Sequence, residues 1–191
     1  MLIAAIIGIV LLVGADQLIK WWAVTELQPV GTKPFLHIGD LKILDLTYLE
    51  NDGAVFSSFS GMRWFLVAVT AVMILACTYW LFRNRKHSKF LTLCLTLIIA
   101  GGIGNLIDRL FRSGRVVDYL NVKLFHFAVF NFADCCVVIG VILFACYLFF
   151  LEPRQAKGKN EAQPSEVSSA SEDSKDCLLY TSPSPRDGLL S

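Results

Sequence analysis

The stretch from Ala100 to Asp134 holds Asn105, Asp108 and Arg109, then Asp118, then Asn131 and Asp134. They lie at and between the ends of two segments apolar enough to enter a membrane, where a polar group persists when it is paired or hydrated. A cluster in that position points to a site. Two carboxylates facing each other at a membrane surface cannot comfortably both ionise, so one of them keeps its proton. The ionised member can take a proton from water, and the protonated member can donate to a peptide carbonyl and later to the leaving amine. That chemistry hydrolyses an amide with no covalent intermediate, and its apparent pKa values belong to the pair. Asp118 and Asp134 are the expected pair. Asp108 has Arg109 as its neighbour, which makes it a poor proton donor and marks it as structural.

Other nucleophile sets are missing from the sequence. His37, His87 and His126 fall in loops, and no His/Glu cluster has zinc spacing. Cys77, Cys94, Cys135, Cys136 and Cys146 sit inside apolar runs, where they read as small apolar residues. Neither a metal nor an organic cofactor is expected.

The elements that must hold these groups follow from hydropathy. Of 191 residues, 55% are hydrophobic and 17% charged, and the mean hydropathy is +0.58, which a soluble globule does not support. A net charge of +1 gives no argument for nucleic acid. Four runs have the length of about 20 helical residues that a bilayer core needs: about 2–24, 64–82, 90–107 and 133–151. The first lacks a basic n-region and reads as an uncleaved span. Asp16 and Lys20 share one face of it, four residues apart, as a structural ion pair, and Trp21-Trp22 mark its exit to the interface. The second span carries no interior charge and reads as scaffold.

An even number of spans places both termini on one side. The dense basic loop Arg83–Lys89 points to the cytoplasm, although lysine and arginine are equally frequent on the two sides. Residues 35–60 alternate apolar and polar residues between the turn signals Gly39-Asp40 and Asn51-Asp52-Gly53, so short strands are expected there. Such a sheet could hold an extended peptide through backbone hydrogen bonds. Leu110–Val129 reads as a loop with a turn at Gly114. Residues 153–191 form a Ser/Glu/Lys-rich tail expected to be disordered, and 177–191 resemble translated adapter sequence rather than native protein.

Read together, Asp16-Gln17-x-x-Lys20, Asn51-x-Gly53-x-x-Phe56, Gly101-Gly102-x-Gly104-Asn105-x-Ile107-Asp108-Arg109, Val116-Val117-Asp118-Tyr119 and Phe130-Asn131-x-Ala133-Asp134 resemble bacterial lipoprotein signal peptidase, the signal peptidase II family. The resemblance runs from about Leu2 to Leu151. It implies an all-α integral membrane four-helix bundle over 1–152 with a small extramembrane, periplasmic β-cradle, in the bacterial inner membrane with both termini cytoplasmic and the site on the outer side. It also implies an aspartyl endopeptidase that removes the signal peptide of diacylglyceryl-modified prolipoproteins just before the lipidated cysteine. A monomer in membrane lipid is expected. Asp118 and Asp134 are then catalytic, Asn51, Asn105, Asp108, Arg109 and Asn131 line or brace the site, and Asp16 and Lys20 are structural. The reading from another class is a small proton-coupled transporter. Its coupling carboxylates would sit at mid-span, whereas Asp118 and Asp134 sit at a rim.

Overall fold

The computed structural model describes residues 1–53, 61–83, 88–125 and 127–151, the side chains of 150 and 151 excepted. All of these belong to one compact unit, Met1–Arg154. The expectations for residues 54–60, for the basic loop at 84–87, for His87 and His126 and for the tail from 153 onwards fall outside the described residues.

Among the described residues, four helices are long and apolar enough to cross a membrane, with mean hydropathies between 2.1 and 2.4. Helix α1 spans Leu2–Trp22 and continues as a π-helical turn, Ala23–Leu27. Helix α2 is Arg63–Arg83 and α3 is Lys89–Phe111. Ser88 caps α3, its hydroxyl accepting from the Leu91 amide at 3.2 Å. Helix α4, Phe132–Cys146, runs on as a π-helical turn to Leu151.

Hydropathy does not distinguish the helices, but packing does. Within its most apolar window, 61% of α3 is buried, against 11% for α1 and for α2. Helix α3 packs against each of the other three. Apolar side chains gain little by leaving lipid for a neighbouring helix, so association relies on close approach and interhelical hydrogen bonds of about 0.6 to 2 kcal/mol each. The glycines of α3 allow that approach. A Cβ on Gly101 would run into the Ala133 carbonyl of α4, and one on Gly104 would stand 2.6 Å from the Asp16 carboxylate of α1.

Three chain segments that connect the helices form a small antiparallel sheet in the order β1-β2-β3. Strands β1 (Thr32–Ile38) and β2 (Leu41–Asn51) form the hairpin that the alternating pattern predicts. Gly39 takes φ +60° in its two-residue turn, a conformation that glycine adopts without strain. Strand β3, Val116–Val122, lies where the sequence reads as a loop. Seven residues interrupted by Asp118 and Asn121 carry a weak local signal, and the partner that makes them a strand is β2, with Leu49 opposite Asp118 and Asn51 opposite Val116. The sheet rests on the end of α1: Val117 and Tyr119 pack with Ala23 and Leu27, flanked by Leu46 and Tyr48 of β2. Strand alternation then sends Asp118 to the opposite face.

Candidate active site

Strand β3 turns Asp118 into a cavity of about 520 Å³ that Asp134 lines from the first turn of α4. Asn51, Asn105 and Arg109 line the same cavity. Asp118 is 2% exposed. Its Oδ2 accepts from Asn51 Nδ2 at 3.0 Å and its Oδ1 from Asn131 Nδ2 at 2.7 Å. Burial first, and then the charge of Asp134, push its pKa up to about 7; the two amide donors act the other way and are too weak to offset them.

Asp134 is held by a different kind of structure. Asn131, which the sequence places on the same helical face, is the N-cap of α4. Its Oδ1 accepts from the Asp134 amide at 3.0 Å, and the Asn131 amide donates to Asp134 Oδ2 at 3.1 Å. This reciprocal capping box fixes the carboxylate at a helix N-terminus, where negative charge is favoured. Asp134 Oδ1 accepts a further bond from Asn105 Nδ2 at 2.7 Å. The Asn131 amide group also donates to Asn105 Oδ1 at 3.2 Å. One asparagine therefore touches Asp118, Asp134 and Asn105 together.

Behind Asn105 lies an ionic network with almost no solvent contact. Lys20 is fully buried, its Nζ standing 2.9 Å from Asp16 and 2.9 Å from Asp108, and it donates to Asn105 Oδ1 at 3.0 Å. The expected Asp16–Lys20 pair is present within this larger network. Asp16 Oδ1 also accepts from the Ala133 amide at 3.1 Å, tying α1 to the start of α4. Asp108 Oδ2 accepts from the Val117 amide at 3.3 Å, next to Asp118. The ion-pair partners of Asp108 are Lys20 and Arg112. Arg109, the partner expected from adjacency, turns to the Gly53 carbonyl at 3.1 Å. Successive helix positions point about 100° apart, so sequence neighbours do not share a face. Arg109 is 9% exposed, and its Nε has no hydrogen-bond partner among the described residues.

The structure thus brings all nine singled-out residues into one contiguous set. Some contributors carry no signal that sequence alone exposes. Thr70 and Met73 of α2, read as plain scaffold, line the cavity, as do Phe127 and Cys135. The Tyr119 hydroxyl accepts from the Phe132 amide at 3.1 Å and so joins the strand bearing Asp118 to the helix bearing Asp134. Its place next to Asp118 is the only hint the sequence offers.

The sequence model of the family described as Signal peptidase (SPase) II matches residues 8–150. The chain belongs to the signal peptidase II family. Among similar proteins are the lipoprotein signal peptidases of Streptococcus pyogenes serotypes M6 and M2, each 40% identical over 144 residues that cover 75% of this chain and 91% of theirs. A solved structure described as a bacterial membrane enzyme, determined by the in meso method at 2.3 Å, superposes with a TM-score of 0.68. It is 29% identical, and the match covers 86% of this chain and 94% of that one. As a signal peptidase II family member with four apolar helices, the chain is a peptidase integral to the bacterial inner membrane.

Proposed function

We propose that this family member removes signal peptides from diacylglyceryl-modified prolipoproteins by an aspartyl mechanism, with Asp118 as acid and Asp134 as base. The observation that carries the assignment is the difference between the two carboxylates. Asp118 is a buried group whose pKa stands at about 7, whereas Asp134 sits in a capping box at a helix N-terminus. Asp134 takes a proton from water as the oxygen attacks the scissile carbonyl carbon, and Asp118 gives its proton to the carbonyl oxygen. In the collapse of the resulting diol, Asp134 passes its proton to the amide nitrogen, Asp118 regains one from a diol hydroxyl, and the C–N bond breaks. The products are a signal peptide with a new carboxyl terminus and a lipidated cysteine with a free amine. Water and the two carboxylates supply the chemistry, so the scheme calls for no cofactor.

The other polar residues have distinct tasks in this scheme. Arg109 has an Nε–H beside the cavity with no partner among the described residues, suited to a substrate backbone carbonyl. Asn51, Asn105 and Asn131 orient the two carboxylates, Asp108 braces α3 against β3, and Asp16 and Lys20 close the network. In this reading residues 1–152 form a four-helix bundle and the sheet is the periplasmic cradle beside which the peptide lies. Both termini face the cytoplasm, the site opens on the outer side, and the enzyme works as a monomer surrounded by lipid, with no nucleic-acid partner. Family membership and the rim position of the carboxylates disfavour the transporter reading.

The test is a gel-shift cleavage assay in detergent, on a prolipoprotein with and without its diacylglyceryl group. Cleavage is expected only of the lipidated form. Asp118→Asn and Asp134→Asn are each expected to lose at least about 10²-fold to 10⁴-fold of turnover, the range of general acid–base catalysis, while remaining folded. Wild-type turnover by either variant refutes the pair.

A further inference from the structure

Among the nine residues, Lys20 has the least obvious reason to be where it is. A structural ion pair with Asp16 accounts for one of its bonds and Asp108 for a second. The third leads elsewhere: Lys20 Nζ donates to Asn105 Oδ1 at 3.0 Å, and the other end of that same amide donates to Asp134 at 2.7 Å. An amide has one accepting and one donating end. With the ammonium on one side and the carboxylate on the other, only one orientation of Asn105 satisfies both. A flipped amide would set its NH₂ against the ammonium and its oxygen against Asp134 Oδ1. Asn131 Nδ2 also donates to Asn105 Oδ1, at a longer 3.2 Å, and shares its group with Asp118. Lys20 is the charged donor, and charged donors make roughly twice as strong a bond.

We infer that Lys20 is a positioning residue for hydrolysis: acting through Asn105, it fixes the donor that holds the Asp134 carboxylate in its reactive orientation. The inference rests on the aspartyl reading proposed above. It goes beyond an ion pair that merely holds α1 in place, because a structural role needs only that the charges be balanced.

That difference sets the experiment. Lys20→Met leaves Asp16 and Asp108 in excess and is expected to unfold or lose yield, which alone decides nothing. Lys20→Met combined with Asp16→Asn removes one charge of each sign. It leaves Asp108 with Arg112 and keeps an acceptor at position 16 for the Ala133 amide. This pair is expected to regain a wild-type Tm, with kcat about tenfold or more below wild type and KM within about twofold. Lys20→Gln with Asp16→Asn restores a neutral donor and is expected to show a smaller, several-fold loss; it also serves if the methionine pair does not fold. Wild-type kcat in either folded pair overturns the inference. Asp118→Asn and Asp134→Asn run alongside: if they cleave, the aspartyl reading fails, and if they are inactive while a Lys20 pair is fully active, only the role of Lys20 fails.

Discussion

Strand β3 and the N-terminus of α4 each present one aspartate to the same cavity, and they treat it in opposite ways. On the strand, Asp118 has side-chain amides from Asn51 and Asn131 as its donors, and its backbone neighbours Val117 and Tyr119 are packed into an apolar cluster. At the helix start, Asp134 has a backbone amide, a capping partner and the positive end of the helix dipole. Two copies of one residue thereby suit two roles. What separates them is the backbone that carries each one.

The comparison breaks most sharply at Asn131, the residue common to both halves. Asn131→Ala removes the cap of α4 together with a donor to Asp118. A lost N-cap costs about 1 kcal/mol of stability, and the loss of a preorganised donor of this kind corresponds to about 10²-fold to 10³-fold in kcat. Steady-state cleavage with a parallel thermal melt reads both, and near-wild-type kcat would show that the two carboxylates are not oriented through this residue.

A smaller effect, confined to the strand side, is expected from Asn51→Ala. Its Nδ2 stabilises the ionised form of Asp118, and its Oδ1 holds the Gly53 amide at 3.0 Å. Losing a hydrogen bond to a charged group, about 1.5 kcal/mol or more, shifts a pKa by about one unit. The direction is upward, so Asp118 keeps its proton to higher pH. Activity that needs the protonated acid falls as pH rises through about 7 in the wild type, and in Asn51→Ala that alkaline limb should lie about one unit higher. An unmoved or downward-shifted limb in the pH profile of kcat would assign the acid to another group.

A further effect is on stability. Folded Asp118 holds its proton up to about 7, whereas an unfolded aspartate releases it near its ordinary value of about 3.9. Between those two values the folded state binds more protons, so this group's contribution to stability declines as pH rises and levels off above about 7. Asp118→Asn has no such proton to lose. Its Tm relative to wild type should therefore rise between pH about 5 and pH about 8, and a constant difference would contradict the raised pKa.

Much of this protein was legible in order along the chain. Four apolar runs are enough to predict four long helices, and the alternation over 35–50 predicts the β1–β2 hairpin. The spacing of Asn131 and Asp134 places them together because positions three apart lie nearly one α-helical turn apart, on the same face. The motif set carries the family resemblance by itself. Local sequence did not reveal β3, since its strand character depends on β2, and it paired Arg109 with Asp108, whereas adjacency in a helix is not contact.

The sequence alone determined which chemistry was available: carboxylates and amides at the end of apolar segments, with no better nucleophile, in a chain too apolar to stand free in water. The tertiary structure decided how they are arranged. Glycines on α3 let α1 and α4 approach until Asp16, Lys20, Asn105 and Asp134 connect through hydrogen bonds, and a strand completed from far along the chain buries Asp118. Covalent order sets which groups exist, but the field around a carboxylate depends on neighbours that only folding brings near.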